Sequence, residues 1–235
     1  MSVDVNSNKY TFVFAIVMTL IVSVILAFTS ETLKPLQKKN IEREKMQNIL
    51  SSVGMNVNRD EAEDAFKKYI VESYVFDANG NKKAGVEAFQ VDILTEFKSG
   101  GQKNFPVFVY KGDDGKVKYI IPMVGKGLWG PIWGYLALDE DKNTIAGAVF
   151  DHKGETPGLG AEISQPWFQA QFVGKKLFDE NGNFKSVIVV KGGADDNDPH
   201  GVDAISGGTI TSNGVTEMIE RTMKTYEPFL KNKQV

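Results

Sequence analysis

The chain has 235 residues, 42% hydrophobic and 24% charged, an ordinary globular composition long enough for one domain and an appendage to bury a core without covalent staples. Its net charge of −3, from 27 basic and 30 acidic residues, offers no basic excess for nucleic acid and no acidic block of the kind that keeps a tail disordered. The absence of cysteine excludes disulfides, thiolate-held iron–sulfur clusters, cysteine zinc sites and thiol catalysis, and two histidines, His152 and His200, are too few and too far apart for a histidine-rich metal site.

After a short tail at 1–9, the run from Tyr10 to Thr29 carries no charge, Pro or Gly. A bilayer core of roughly 30 Å needs about 20 helical residues, so this run can span it. A buried core helix is rarely apolar on every face. A cleaved signal peptide has a shorter apolar region, a basic start and a small-x-small exit, whereas here only Lys9 precedes the run and Ala27-Phe28-Thr29 ends it. The run therefore reads as a retained transmembrane helix at 10–29. Lys34, Lys38, Lys39, Arg43 and Lys45 follow it, which by charge alone puts the remainder in the cytoplasm.

Leu36, Ile41, Met46, Ile49, Leu50 and Val53 then recur at helical spacing, so 30–56 is expected to be a juxtamembrane helix or linker ending near Gly54, with a soluble domain at 57–235. Asp60 and Glu63 form a capping-box pattern that predicts a helix from Glu61 to Tyr74. Asn79-Gly80-Asn81 is a turn. Phe105–Tyr110 and Val117–Val124 flank Gly112-Asp113-Asp114-Gly115, and Tyr135–Leu138 and Thr144–Phe150 flank Asp139–Asn143, giving two hairpins. Ser164 and Pro166 start a helix through Lys176, Lys185–Lys191 reads as a buried strand, and a final helix follows Ser212. Strands joined by short turns, with helices gathered at intervals, predict an α+β domain with a largely antiparallel sheet and flanking helices behind the single transmembrane helix. Neither a GxGxxG fingerprint after a first strand nor a GxxxxGK[ST] loop is present.

Three stretches can carry chemistry. Asp203–Val215, DAISGGTITSNGV, enters a helix whose apolar face is Val215, Met218, Ile219, Thr222, Met223 and Tyr226. Thr211, Ser212 and Asn213 are good caps, a helix N-terminus suits phosphate, and Ser206-Gly207-Gly208-Thr209 lets a ligand approach the backbone. His152–Glu162, HKGETPGLGAE, is a rigid loop in which Leu159 can pack on a flat ligand. Gly125–Trp133, GKGLWGPIW, offers Leu128 and Trp129 as a pocket wall. Taken singly, each stretch reads more readily as a turn, a cap or core filling.

Together they acquire a common meaning. SGGT at Ser206–Thr209 resembles the S-G-A-T flavinylation motif of the NqrC family, a component of the Na⁺-translocating NADH:quinone reductase, with Gly208 where that family usually has Ala. The ETPGLG loop, the GLW segment, GKKLFDENG at Gly174–Gly182 and VKGGA…HGVD at Val190–Asp203 are similar to that family as well. The resemblance covers nearly the whole chain and is weakest over 57–101. It implies an FMN-binding soluble domain with FMN held covalently on Thr209 as a phosphoryl threonine. The remaining cofactor contacts it implies are Ser206, Gly207, Gly208, Thr211, Glu155, Thr156, Gly158, Leu159, Gly160, Leu128 and Trp129, with no catalytic side chain and no metal. Thr211 is the alternative acceptor.

The resemblance further implies an electron-relaying component of a translocase, not itself catalytic on NADH. Its partners are the other subunits of a six-subunit complex, a flavin transferase for maturation and the lipid bilayer. It places the protein in the bacterial inner membrane with the soluble domain on the periplasmic side, against the local charge count. The homologous flavin-bearing component of the Rnf-type electron transport complex shares the anchor, the loop and the flavinylated threonine. A cofactor-free tethered binding domain is the reading from a different class. A hydrolase using Ser206 or Ser212 lacks a His and Asp partner in sequence.

Overall fold

The structure, a computed structural model, describes residues 7–101 and 103–232. Residues 1–6 of the expected tail lie outside the described residues. The chain divides into two units, Met1–Lys45 and Met46–Val235.

In the first unit the apolar run lies in helix α1, Asn8–Ser51, which is long and apolar enough to cross a membrane. Phe12, Ile16, Leu20, Val24 and Phe28 are exposed rather than packed into a core. The hydroxyls of Thr19 and Thr29 donate to the carbonyls of Ala15 and Ile25 at 2.8 Å, so these polar groups are satisfied within the helix, as hydrocarbon requires. The span and the helix expected after it form one element that continues through Pro35. Its end is sealed by the N–H of Gly54 on the carbonyl of Ser51 and that of Met55 on Leu50.

The second unit departs first from expectation at its start. The helix foreseen over Glu61–Tyr74 is only α2, Ala62–Tyr69, and its cap Glu61 makes no side-chain bond, nor does Asp60 act as the cap. Ile70–Phe76 is instead strand β1. Ile70, Val71, Tyr74, Val75 and Phe76 are β-branched or aromatic, and an edge is available for them: β1 pairs antiparallel with β2, Phe105–Lys111, matching Tyr74 to Val107 and Phe76 to Phe105. Long-range pairing overrides the local capping pattern.

Both hairpins form as expected. β2 pairs with β3, Val117–Lys126, and β4, Pro131–Leu138, pairs with β5, Ile145–His152, to give an antiparallel sheet in the order β1-β2-β3-β4-β5. Side chains alternate between two cores, as a period of two demands. Val107, Ile121, Met123, Ile132 and Leu136 face one; Phe108, Ile120, Tyr135 and Ala137 face the other, which Ile49 and Val53 help close. A short helix α3, Ile93–Lys98, begins at Asp92, whose carboxylate accepts from the N–H of Thr95.

Beyond β5 two elements are shorter than the sequence indicates and one starts earlier. The helix expected to run to Lys176 is a 3-10 turn, Gly160–Ser164, and α4, Pro166–Ala170. The strand expected over Lys185–Lys191 is β6, Ile188–Val190, which pairs in parallel with an unforeseen β7, Gly201–Asp203. The last long helix, α5, spans Thr209–Thr225 and so begins before Ser212; α6, Glu227–Lys231, follows it. The reason for the early start is local: Gly207 adopts φ +73°, the N–H of Gly208 bonds the carbonyl of Ile205, and Gly208 becomes the cap.

The apolar face of α5 is buried as expected, through Val215, Met218, Ile219, Met223 and Tyr226. It lies against β3, where Met218 sits over Gly125 and the guanidinium of Arg221 donates to the carbonyl of Val124 at 2.5 Å. This contact brings the start of α5 to the β3–β4 turn.

Candidate functional site

Three segments meet at that turn, and Glu155 joins them. The N–H of Gly127 closes the turn on the carbonyl of Gly130 at 2.8 Å. The carboxylate of Glu155 accepts the N–H groups of Trp129 at 2.8 Å and Leu128 at 3.3 Å, and the hydroxyl of Thr211 at 2.6 Å. The N–H of Glu155 itself donates to Nδ1 of His152 at 3.1 Å. One side chain thus ties the β3–β4 turn, its own loop and the first turn of α5. Gly160 permits the closeness, since a Cβ there would lie 2.5 Å from Oε2 of Glu155.

Burial pushes the Glu155 carboxyl up, but the bonds from Thr211, Trp129 and Leu128 outweigh it and hold the group below its ordinary value of 4.5. A carboxylate depressed by folding contributes stability that is present above its unfolded value and lost as pH falls through the folded one. We therefore expect the urea midpoint to fall as pH drops below about 4.5 and Glu155→Gln to flatten part of that fall. An unchanged acid profile in the variant overturns this assignment.

The farther end of the loop is held separately. Glu162 accepts the N–H of Gly158 at 3.1 Å and Nε1 of Trp167 at 3.3 Å. Glu162, the last residue of the His152–Glu162 stretch, braces the loop without lining the cavity.

The three segments enclose a cavity of about 230 Å³. Of the residues singled out from the sequence, Thr209, Gly207, Gly208, Thr211, Glu155, Thr156, Leu159, Gly160 and Leu128 line it. Ser206, Gly158 and Trp129 do not; Trp129 is 70% exposed and contributes its backbone N–H to Glu155 rather than its ring to the wall. Ile210, which the sequence reading misses, also lines the cavity and is exposed. The available signal is an apolar residue lying off the buried face of its helix. A larger hollow of about 570 Å³ beside Asn143, Lys176, Asp179 and His200 contains none of these segments.

The two threonines of the TIT segment differ sharply. Thr211 is 2% exposed with its hydroxyl committed to Glu155. Thr209 is half-buried at the first position of α5, on the cavity wall, and its hydroxyl makes no hydrogen bond among the described residues. The first N–H groups of a helix have no partner within it, and the first that α5 satisfies here is that of Ser212, on the carbonyl of Gly208 at 2.9 Å. Such a helix start suits a phosphate. The cavity is smaller than the roughly 300–1,000 Å³ of a pocket that encloses its ligand, so a flavin-sized group anchored here would lie partly outside, against Leu128, Leu159 and Ile210. The residues present therefore fit a flavin mononucleotide held by its phosphate end.

The family model described as FMN-binding domain matches residues 127–224, which contain all three segments. The NqrC protein of the Na(+)-translocating NADH-quinone reductase of Neisseria meningitidis serogroup B is 38% identical over 229 residues, covering 90% of this chain and 88% of its own. That of Vibrio vulnificus is 34% identical over 226 residues, covering 89% and 88%. Among solved structures, the corresponding reductase component from Parabacteroides distasonis has a TM-score of 0.78 at 48% identity, covering 85% of this chain and 98% of that one. Shewanella oneidensis NqrC has a TM-score of 0.70 at 30% identity, covering 80% and 96%. With its transmembrane-length helix, its antiparallel sheet and a cavity at the start of α5, this chain belongs to the NqrC family of the Na(+)-translocating NADH-quinone reductase.

Proposed function

We propose that this chain relays electrons within a membrane-bound, Na(+)-translocating NADH-quinone reductase, through FMN joined by a phosphoester to the hydroxyl of Thr209. The observation that carries this reading is the position of Thr209: first in α5, on the cavity wall, with its hydroxyl unengaged among the described residues. FMN supplies one-electron transfer. Thr209 is then an attachment point rather than a base, because the ester uses its oxygen. The N–H groups at the start of α5 favour the phosphate charge. Leu128, Leu159 and Ile210 would offer apolar surface to the flavin ring. A covalent bond suits so open a site, since it prevents loss of the group by dissociation.

In this reading residues 10–29 cross the bilayer, 30–56 continue the helix and link it onward, and 57–235 carry the flavin. A flavin transferase installs FMN. The partners, which bring the complex to six subunits, oxidise NADH, reduce quinone and conduct Na⁺. The test is mass mapping of the peptide Asp203–Arg221 from protein made with its transferase. An FMN phosphate adduct on Thr209 supports the proposal, and an unmodified peptide, or an adduct on Thr211, overturns it.

We place the flavin domain in the periplasm, since large domains translocate regardless of the charges near a span. The chain has no cysteine, so a single introduced thiol reports sidedness without background. Glu180→Cys, at an exposed position, is expected to react with a membrane-impermeant maleimide in intact spheroplasts. Labelling only after lysis would place the domain in the cytoplasm.

A further inference from the structure

Glu155 places a mostly buried negative charge beside the cavity. The side chain lines the cavity, yet the residue is 5% exposed, and among the described residues it has no ion-pair partner. The dipoles that face it include the backbone N–H groups of Trp129 and Leu128 and the hydroxyl of Thr211. The group's depressed proton affinity is consistent with its being ionised at neutral pH.

We infer that Glu155, besides positioning the three segments, sets the reduction potential of the flavin held in this cavity, keeping it lower than a neutral side chain would. The inference rests on the FMN reading given above. An electron arriving from the NADH-oxidising part of the complex adds one unit of negative charge to the bound group unless a proton accompanies it. No bond forms or breaks at Glu155, whose carboxylate stays ionised. Like charges repel, and beside a buried carboxylate that repulsion is screened less than in bulk water, so the reduced form is disfavoured. Thr211 opposes this effect, because its O–H points the positive end of a dipole at the same carboxylate at 2.6 Å.

The two residues therefore carry opposite signs. Glu155→Gln removes the charge at almost constant shape and is expected to shift the midpoint potential upward. Thr211→Val removes the screening dipole, leaves the charge and is expected to shift it downward. A role confined to cavity shape predicts no such opposition, since both changes loosen the same clasp.

The experiment is a spectroscopic redox titration of the full-length flavinylated protein in detergent at fixed neutral pH, for wild type and both variants. Opposite shifts in the stated directions support the inference. Shifts of the same sign, or no upward shift in a flavin-loaded Glu155→Gln, overturn it. Should Glu155→Gln fold or load poorly, Thr211→Val decides alone: a downward shift supports the inference and any other result overturns it. Absence of bound flavin from wild type made with its transferase counts against the Thr209 reading instead, so the two failures are distinguishable.

Discussion

Thr209→Ala is expected to abolish covalent flavin, with complete loss of ultraviolet-excited fluorescence from the denatured protein on a gel. The change deletes the ester oxygen and little else. Thr209 is half-buried, and its side chain makes no hydrogen bond among the described residues. Because Gly208 caps α5 without any side-chain bond, the helix start does not rely on the Thr209 hydroxyl either. Alanine is the better helix former, so stability is expected to stay within about 0.5 kcal/mol of wild type. Thr211→Val provides the contrast. It removes a buried hydroxyl that folding has given to Glu155, and it is expected to retain fluorescence. Fluorescence surviving in Thr209→Ala, or vanishing only in Thr211→Val, would move the attachment and sink the reading.

Phe150→Ala is expected to cost about 3–5 kcal/mol, a large share of the roughly 5–15 kcal/mol by which such domains are stable. Phe150 is 1% exposed and sits on β5, covering Gly134 of β4. Its ring meets Phe172 edge-on with centroids 4.9 Å apart and Phe168 at 6.0 Å. Gln169 of α4 donates to its carbonyl at 3.0 Å. Removing the ring empties the space between the sheet and α4, close along the chain to His152 and Glu155. Urea denaturation of the full-length protein in detergent measures the loss. A decrease below about 1 kcal/mol would mean that this aromatic cluster is not packed as described.

The relation between sequence and structure varies along the chain for physical reasons. The Gly112–Gly115 and Asp139–Asn143 turns are legible because turn residues between alternating apolar runs specify a hairpin almost alone. The buried face of α5 is legible because helical periodicity repeats over four turns. Ile70–Phe76 misleads because Asp60 and Glu63 offer a helix start, while the stronger pull, pairing with β2, lies far along the chain. The helix after Pro166 is shorter than its sequence indicates because its continuation is decided by what Phe168 and Phe172 pack against.

The candidate site divides in the same way. The residues SGGT, ETPGLG and GLW are visible as unusual local composition, and nine of those singled out line one cavity. Their assembly is not visible, because it runs through Glu155 and Thr211, 56 positions apart. The sequence by itself determined that a helix of transmembrane length precedes a hairpin-rich α+β domain, and that two threonines stand near a helix start. These follow from hydropathy, periodicity and turn chemistry, each acting over a few neighbouring residues. Only the tertiary structure decided where α5 begins, and which threonine gives its hydroxyl to Glu155. It also decided that a buried carboxylate lies beside the cavity. Those outcomes depend on which groups from distant segments satisfy one another when water is removed, and local sequence does not carry that information.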